Sequence, residues 1–513
     1  MGTRQQFQTV SYIDRDFAAY HAGVRPLKTA CIELNTGRAI TYGELDERVS
    51  KAVAAIGAVA GDVRGVALAI LARNSIEYLV FILACFRLGA ILQPLNWRLG
   101  GEELSFMLTD AEPALVVYDE EFAGPITEAL RAAPNSRAFT SPVFNALVDD
   151  ADGAAGGWAE VGPDAPMFLL YTSGTTGKPK GAIITRQNAW YQAMNFAVCA
   201  DVKVTSMLLC DAPLFHTVGL MAICWCSLRM GATFALTERF TPALAIERLS
   251  DPKIGATHYF GVPQICRALV DDPTYTPEAL NRLEGLFLGG APMPHDLLER
   301  MVDDRILVSN GFGMSETGTC MHVPRTLETI RHKFGSVGLP ALSMDARIVD
   351  ENGDEVPDGT AGELVLRGPA VTPGYWRRPE ANASGFFPGG WFRSGDIGMR
   401  DADGYFYVLD RSKDMYISGG ENVYPAEVES ALLRIPGVAD VAVIGVPDER
   451  WGEVGCAYLV LKPGASLDAA AVTTACSASL ASYKRPKHVR FIDAIPRNAN
   501  GKAQKAELRA RPL

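Results

Sequence analysis

Residues 171–181 read YTSGTTGKPKG: three glycines, four aliphatic hydroxyls, two lysines and one proline in eleven positions. Gly174 and Gly177 lack side chains, so backbone N–H groups can come close to an anion. Thr172, Ser173, Thr175 and Thr176 add hydroxyl donors, and Lys178 and Lys180 add positive charge. Such a stretch is suited to wrapping a phosphate. It is not a Walker loop, which needs G-x-x-x-x-G-K-[ST]. Only two residues separate Gly174 from Gly177, and Pro179 follows Lys178. A Walker loop also opens a helix, whereas Gly-Ala-Ile-Ile at 181–184 reads as a second strand after one at 167–171. The expectation is a glycine-rich turn between two strands.

Further candidates lie along the chain. LFLGGAPMP (286–294) holds Gly290, Ala291 and Pro292, and NGFGMSETG (310–318) holds Gly311, Phe312, Gly313, Ser315 and Glu316. WFRSGDIG (391–398) holds Asp396, and DRSKD (410–414) holds Arg411 and Lys413. ISGGENVYPAEVE (417–429) holds Gly419, Gly420 and Glu421, and PRNANGKAQK (496–505) holds Lys502 and Lys505. In this order, from Thr41 to Lys505, these motifs resemble the adenylate-forming superfamily, within it the AMP-forming acyl-CoA synthetases and fatty-acid–CoA ligases.

The resemblance implies roles. The 172–180 turn, Gly290–Pro292 and Gly311–Gly313 surround ATP, with Phe312 stacking on adenine where tyrosine is usual. Ser315, where threonine is usual, meets the α-phosphate. Glu316, with Thr175, holds Mg²⁺, a hard cation that prefers oxygen ligands. Asp396 and Arg411 meet the ribose, Lys413 is a hinge, and Lys502 is the catalytic lysine. Lys505 stands where many members have arginine. Gly419, Gly420 and Glu421 line a tunnel for the pantetheine of coenzyme A.

The chemistry implied has two steps. A carboxylate is a poor acyl donor, so it attacks the α-phosphate of ATP to give acyl-AMP and pyrophosphate; a thiol then takes the acyl group. Both first-step reactants are anions, which calls for a compact cation such as Lys502 between them. APLFHTVGL (212–220) offers Phe215 and His216 where amino-acid-activating relatives carry an aspartate. His216, Val218, Tyr259, Val262 and Gly290 are the expected acid-binding residues, and the acid is expected to be apolar, fatty or aryl. An acceptor thiol on a carrier protein is the alternative to CoA. A non-enzymatic ATP or acyl-AMP sensor would have lost Lys502 or Glu316. A P-loop kinase or ATPase is opposed by the loop spacing. The cationic YKRPKHVR (483–490) reads equally as a contact for CoA phosphates and as a solvated face.

These residues need an α/β scaffold. A helix starts at Thr41, with Leu45, Val49, Val53 and Ile56 on one face. Short β-rich runs at 66–70, 114–117, 232–236 and 286–288 alternate with helical runs at 79–87 and 243–250, which argues for layered sheets. Residues 149–166 read as a surface loop. Beyond residue 410 a compact pattern follows: helix 425–434, strands 438–446 and 455–462, helix 468–481 and strand 488–492. The expected fold is therefore α/β: a large multi-subdomain N-terminal region with layered sheets (1–410, ATP and acid), then a small mobile α+β domain (411–513) carrying the catalytic lysine.

Composition sets bounds. The 513 residues carry a formal charge of −11, and nothing in it suggests a nucleic-acid partner, which would usually show a basic face. Ten cysteines form no C-x-x-C pair, and seven histidines show no H-x-x-x-H spacing, which opposes a structural zinc site. The start of the chain has no apolar signal core. The longest apolar runs, 79–86 and 217–228, are shorter than the ~20 residues that span a bilayer and read as core. A cytoplasmic enzyme of small-molecule acid, ATP and CoA is expected, with a homodimer left open.

Overall fold

The structure is a computed structural model. It describes residues 16–155, 159–172, 179–291, 293–411, 414–419, 421–477, 480–497 and 503–512. They pack as two compact units. The first runs to residue 334 and adds 338–345 and 367–386; the second comprises 335–337, 346–366 and 387 onward. The second unit gathers stretches that precede 410 because strand Trp391–Arg400 pairs with Gly362–Arg367 on one side and Phe406–Arg411 on the other.

The first unit holds two sheets. A six-stranded sheet has the order Arg137–Thr140, Leu115–Tyr118, Ala67–Leu71, Ile91–Pro94, Pro166–Thr172, Lys180–Thr185. All neighbours are parallel except the last pair. The central strands Ala67–Leu71 and Ile91–Pro94 are buried along their whole length, as expected for parallel strands covered on both faces. A nine-stranded sheet runs from Leu339–Pro340 through Gly318–His322, Val308–Met314, Gly285–Gly289, His258–Gly261, Met207–Cys210, Thr233–Leu236 and Thr29–Glu33 to Ala39–Thr41.

Helix Tyr42–Ala60 begins in a capping box. Glu44 N donates to the Thr41 hydroxyl, and Thr41 N donates to Glu44 Oε2 at 2.8 Å. Two orphan donors of the first turn are thereby satisfied. Leu45, Val49, Val53 and Ile56 are all buried. The apolar run at 217–228 is core, as its composition implies, but Val218–Trp225 is wound as a π-helix before the α-helix Cys226–Met230.

The second unit carries two five-stranded sheets. One centres on Trp391–Arg400. In the other, Val438–Asp448 and Gly452–Leu461 form a long antiparallel pair, with His488–Phe491 parallel to the latter. Helices Pro425–Leu433 and Ala469–Ser477 pack on it, and Tyr416, Val428, Leu432, Val443 and Leu459 form the core between. Among the described residues no helix is long and apolar enough to cross a membrane.

Candidate active site

Strands Pro166–Thr172 and Lys180–Thr185 are antiparallel, with Thr172 opposite Lys180, so the glycine-rich stretch joins two strands. Ser173, Gly174, Thr175, Thr176, Gly177 and Lys178 lie outside the described residues. The ends of the turn are fastened. The Tyr171 hydroxyl donates to Asp110 Oδ2 at 2.8 Å. Its ring covers Gly181, where a Cβ would come 3.2 Å from it. The Thr172 hydroxyl donates to Lys180 O at 3.4 Å.

A strap at residues 372–378 runs beside the returning strand. Ile183 N donates to Gly374 O at 3.0 Å and Trp376 N to Gly181 O at 2.8 Å. The Thr372 hydroxyl donates to Ile183 O at 2.6 Å. The same strap reaches the turn that carries Glu316. Thr372 N donates to Glu316 O at 2.7 Å, and the Tyr375 hydroxyl donates to Glu316 Oε1 at 2.9 Å. Lys180 Nζ lies 5.5 Å from the centre of the Tyr375 ring. One tyrosine thus touches a lysine of the glycine-rich motif and the buried carboxylate of another motif. The sequence reading did not single out Tyr375. Its partner Glu316 is 59 positions away, and no periodicity links them.

Two features of the fold anchor the strap. Asp110, near the end of helix Gly101–Ala111, pairs with Arg378 at 2.7 Å. Its carbonyl accepts from Trp376 Nε1 and Arg377 Nη1, each at 3.2 Å. From helix Arg186–Ala200, Asn188 Nδ2 donates to Pro369 O at 2.9 Å and Val371 O at 2.8 Å, and Gln192 Nε2 to Ala370 O at 3.0 Å.

Glu316 is buried, in the turn 315–317 between Val308–Met314 and Gly318–His322; Ser315 beside it and Phe312 on the strand are half-buried. The strand ends here need glycine. A Cβ at Gly289 would sit 3.0 Å from Gly311 O, its partner on the next strand, and one at Gly313 would overlap the Gly318 carbonyl. Gly290 has φ +82°, and a Cβ there would lie 3.7 Å from Val262, so these two expected acid-side residues are neighbours. Ala291 is half-buried, and Pro292 lies outside the described residues. A carboxylate with one oxygen already oriented by a phenol suits a hard cation such as Mg²⁺.

His216 is half-buried, and its Nδ1 accepts from Val218 N at 3.3 Å. That bond lies at the start of the π-helix, whose N-cap is Thr217. Tyr259 is buried in the core beside Leu209, Leu269 and Leu286, and its hydroxyl donates to Asp211 Oδ2 at 2.9 Å. Strand alternation puts Phe260 on the opposite face, stacked on Phe196 at 5.5 Å. Asp211 also accepts from the Thr237 hydroxyl at 2.6 Å, and burial raises its pKa.

In the second unit, Asp396 and Arg411 face each other across antiparallel strands. Asp396 is 2% exposed, and its backbone N donates to the Ser394 hydroxyl at 3.0 Å. The side chain of Arg411, and the whole of Lys413, Gly420 and Lys502, lie outside the described residues. What flanks them is fixed. Asp410 Oδ2 accepts from Ala426 N at 2.7 Å, in the first turn of helix Pro425–Leu433, a favourable place for a carboxylate. Gly419 has φ +63°, its N donates to Trp451 O at 2.9 Å, and a Cβ would meet the Trp451 ring at 2.7 Å. Trp451 is 43% exposed and Glu421 is exposed, so an aromatic surface that the sequence reading missed adjoins Gly419.

The stretch bearing Lys502 is closed at its base by a bridge between Arg497 and Ala503, and by Gln504 N donating to Pro496 O at 2.8 Å. Arg497 pairs with Asp440 at 2.7 Å and Lys505 with Glu429 at 2.8 Å. Burial lowers the Lys505 ammonium pKa, but Glu429 and Asp410 outweigh it and hold the group above its ordinary value.

A cavity of about 180 Å³ opens at the carboxyl ends of Ala67–Leu71 and Leu115–Tyr118, lined by Arg73, Glu77 and Asp119 among others. It shares no residue with the strap or the glycine-rich strand ends. Its charges are already engaged: Asp119 accepts from the Ser141 hydroxyl at 2.5 Å, Arg73 pairs with Glu121 at 2.8 Å, and Glu77 with Arg38 at 2.5 Å.

Comparison with known proteins adds to this geometry. The family model "AMP-binding enzyme" matches residues 19–376, and "AMP-binding enzyme C-terminal domain" matches 427–502. The chain is 40% identical over 475 residues to a feruloyl-CoA synthase from an Amycolatopsis species, covering 93% of this chain and 94% of that one. It is 35% identical over 506 residues to an indoleacetate–CoA ligase from Aromatoleum aromaticum, covering 97% of each. ATP-bound MatB from Rhodopseudomonas palustris has a TM-score of 0.88 at 32% identity, covering 96% of this chain and 98% of that one.

Proposed function

The chain belongs to the AMP-binding, adenylate-forming family of acid–thiol ligases, and we propose that it joins an apolar, aryl-bearing carboxylic acid to coenzyme A. The observation that carries the ligase chemistry in this chain is the Lys180–Tyr375–Glu316 arrangement beside the glycine-rich turn. It gathers a cation and a buried carboxylate around one tyrosine, as a polyphosphate and its metal require.

In the proposed reaction the acid's carboxylate oxygen attacks the α-phosphorus of ATP, and the bond to the bridging oxygen of pyrophosphate breaks. Lys502 offsets the repulsion between the two anions. Lys180 and the turn take the charge of the leaving pyrophosphate. Glu316 and Thr175 would hold Mg²⁺, which supplies further charge neutralisation there. Asp396 accepts from the ribose hydroxyls, and Arg411 meets the same sugar. Ser315 meets the α-phosphate, and Phe312 offers its face to adenine. In the second step the CoA thiol attacks the acyl carbon, AMP leaves, and Gly419 and Gly420 give the pantetheine arm room. Lys413 is the proposed hinge between these steps.

Two features support the choice of acid. Asp211, the carboxylate nearest Phe215 and His216 in sequence, is buried and accepts from the Thr237 and Tyr259 hydroxyls. It does not serve an amino-acid ammonium group. The relatives at 40% and 35% identity are named for feruloyl and indoleacetyl thioesters, both aryl-bearing. The test is thioester formation from ATP, Mg²⁺, CoA and a panel of ferulate, indoleacetate, dodecanoate, malonate and phenylalanine. The reading predicts the highest kcat/KM with ferulate or indoleacetate. Preference for malonate or phenylalanine contradicts the apolar acid, and turnover only with a pantetheinylated carrier protein contradicts CoA.

A further inference from the structure

The reaction steps above give Tyr375 no role of its own. Its hydroxyl donates to Glu316 Oε1 at 2.9 Å, while Lys180 Nζ lies 5.5 Å from the centre of its ring. The ring face meets the cation, an attraction between a positive charge and an aromatic quadrupole. The ring's polar edge meets the anion. Among the described residues no ion pair joins Lys180 to Glu316, although both contact one side chain.

The two opposite charges attract, and without the tyrosine that both contact they would be free to pair directly. A collapsed pair would leave neither group available: the lysine for a phosphate, the carboxylate for a metal. The strap is built so that Tyr375 cannot withdraw. Flanking backbone bonds fix it to strand Lys180–Thr185, and Asp110 clamps Trp376, Arg377 and Arg378 beyond it.

We propose that Tyr375 is a positioning residue for metal–nucleotide binding. It separates Lys180 from Glu316 and, through its hydroxyl, turns one Glu316 oxygen away so that the other faces the metal. This inference rests on the reading of Glu316 as the magnesium carboxylate.

Calorimetry with a non-reactive ATP analogue, titrated with and without Mg²⁺, tests it without requiring turnover. Wild-type protein should bind the analogue more tightly with Mg²⁺ present. In Tyr375→Phe the spacer remains and the hydroxyl is lost. The gain conferred by Mg²⁺ should shrink about tenfold, on the scale of one hydrogen bond to a charged group, with metal-free affinity unchanged. In Tyr375→Leu metal-free affinity should fall as well, because Lys180 is then captured by Glu316. The half-saturating Mg²⁺ concentration in acid-dependent ATP–pyrophosphate exchange should rise in both variants, while KM for the acid and the melting temperature stay put. Glu316→Gln, measured alongside, separates the two claims. If it loses the Mg²⁺ gain and Tyr375→Phe keeps it, the positioning role is overturned alone. If Glu316→Gln keeps the gain, the magnesium reading falls and the inference with it.

Discussion

Asp396 shows what a single residue can carry. It is 2% exposed, in a strand, with its own backbone N bound to Ser394 and Arg411 opposite. In the proposed function its carboxylate accepts from the two adjacent hydroxyls of the ribose, charge-assisted bonds that suit a carboxylate. Asp396→Asn should raise KM for ATP about tenfold to a hundredfold, the scale of losing charge-assisted hydrogen bonds. Melting should shift little, and steady-state kinetics at varied ATP, with a parallel melt, check this. Asp396 was legible in sequence only through its motif, because a lone Asp in a strand has no spacing signal. Tyr375 was not legible at all, since its chemistry arises from a contact between distant turns. Tyr259 was legible as apolar, lining a pocket or part of the core, but the bond from its hydroxyl to Asp211 was not.

At the scale of elements, the strap 372–378 links the glycine-rich strands to the Glu316 turn, and Asp110 is its anchor. Asp110→Asn should lower stability by about 1–3 kcal/mol, since Asp110 accepts from Tyr171 and Arg378 together. Its effect on adenylation should exceed its effect on thioester formation from supplied acyl-AMP; denaturant melts and the two half-reactions measure this. The helix at 42–60 and the strands at 67–71, 115–118 and 233–236 were readable because caps and period-bound apolar faces are local. The strap has no periodicity, and its structure comes from what it packs against. The π-helix was equally hidden, because its apolar run fits either helix type.

At the scale of the whole molecule, the proposed chemistry is divided between motifs that lie far apart in sequence. The βα pattern of the last hundred residues was legible. The sequence did not reveal that strand Trp391–Arg400 draws 346–366 and 387–411 into the same unit, because strand pairing is non-local. If the roles proposed for Lys502 and Gly420 hold, the half-reactions separate. Lys502→Ala should abolish adenylation and spare thioester formation from supplied acyl-AMP, and Gly420→Leu should do the reverse; equal loss of both steps in either variant refutes the division. The central claim is that the acid is activated as its adenylate, and following a heavy-oxygen label placed in the carboxylate tests it most directly. The account predicts that one labelled oxygen from each acid consumed appears in the phosphate of AMP, with unlabelled pyrophosphate. Label in inorganic phosphate alongside ADP would contradict it.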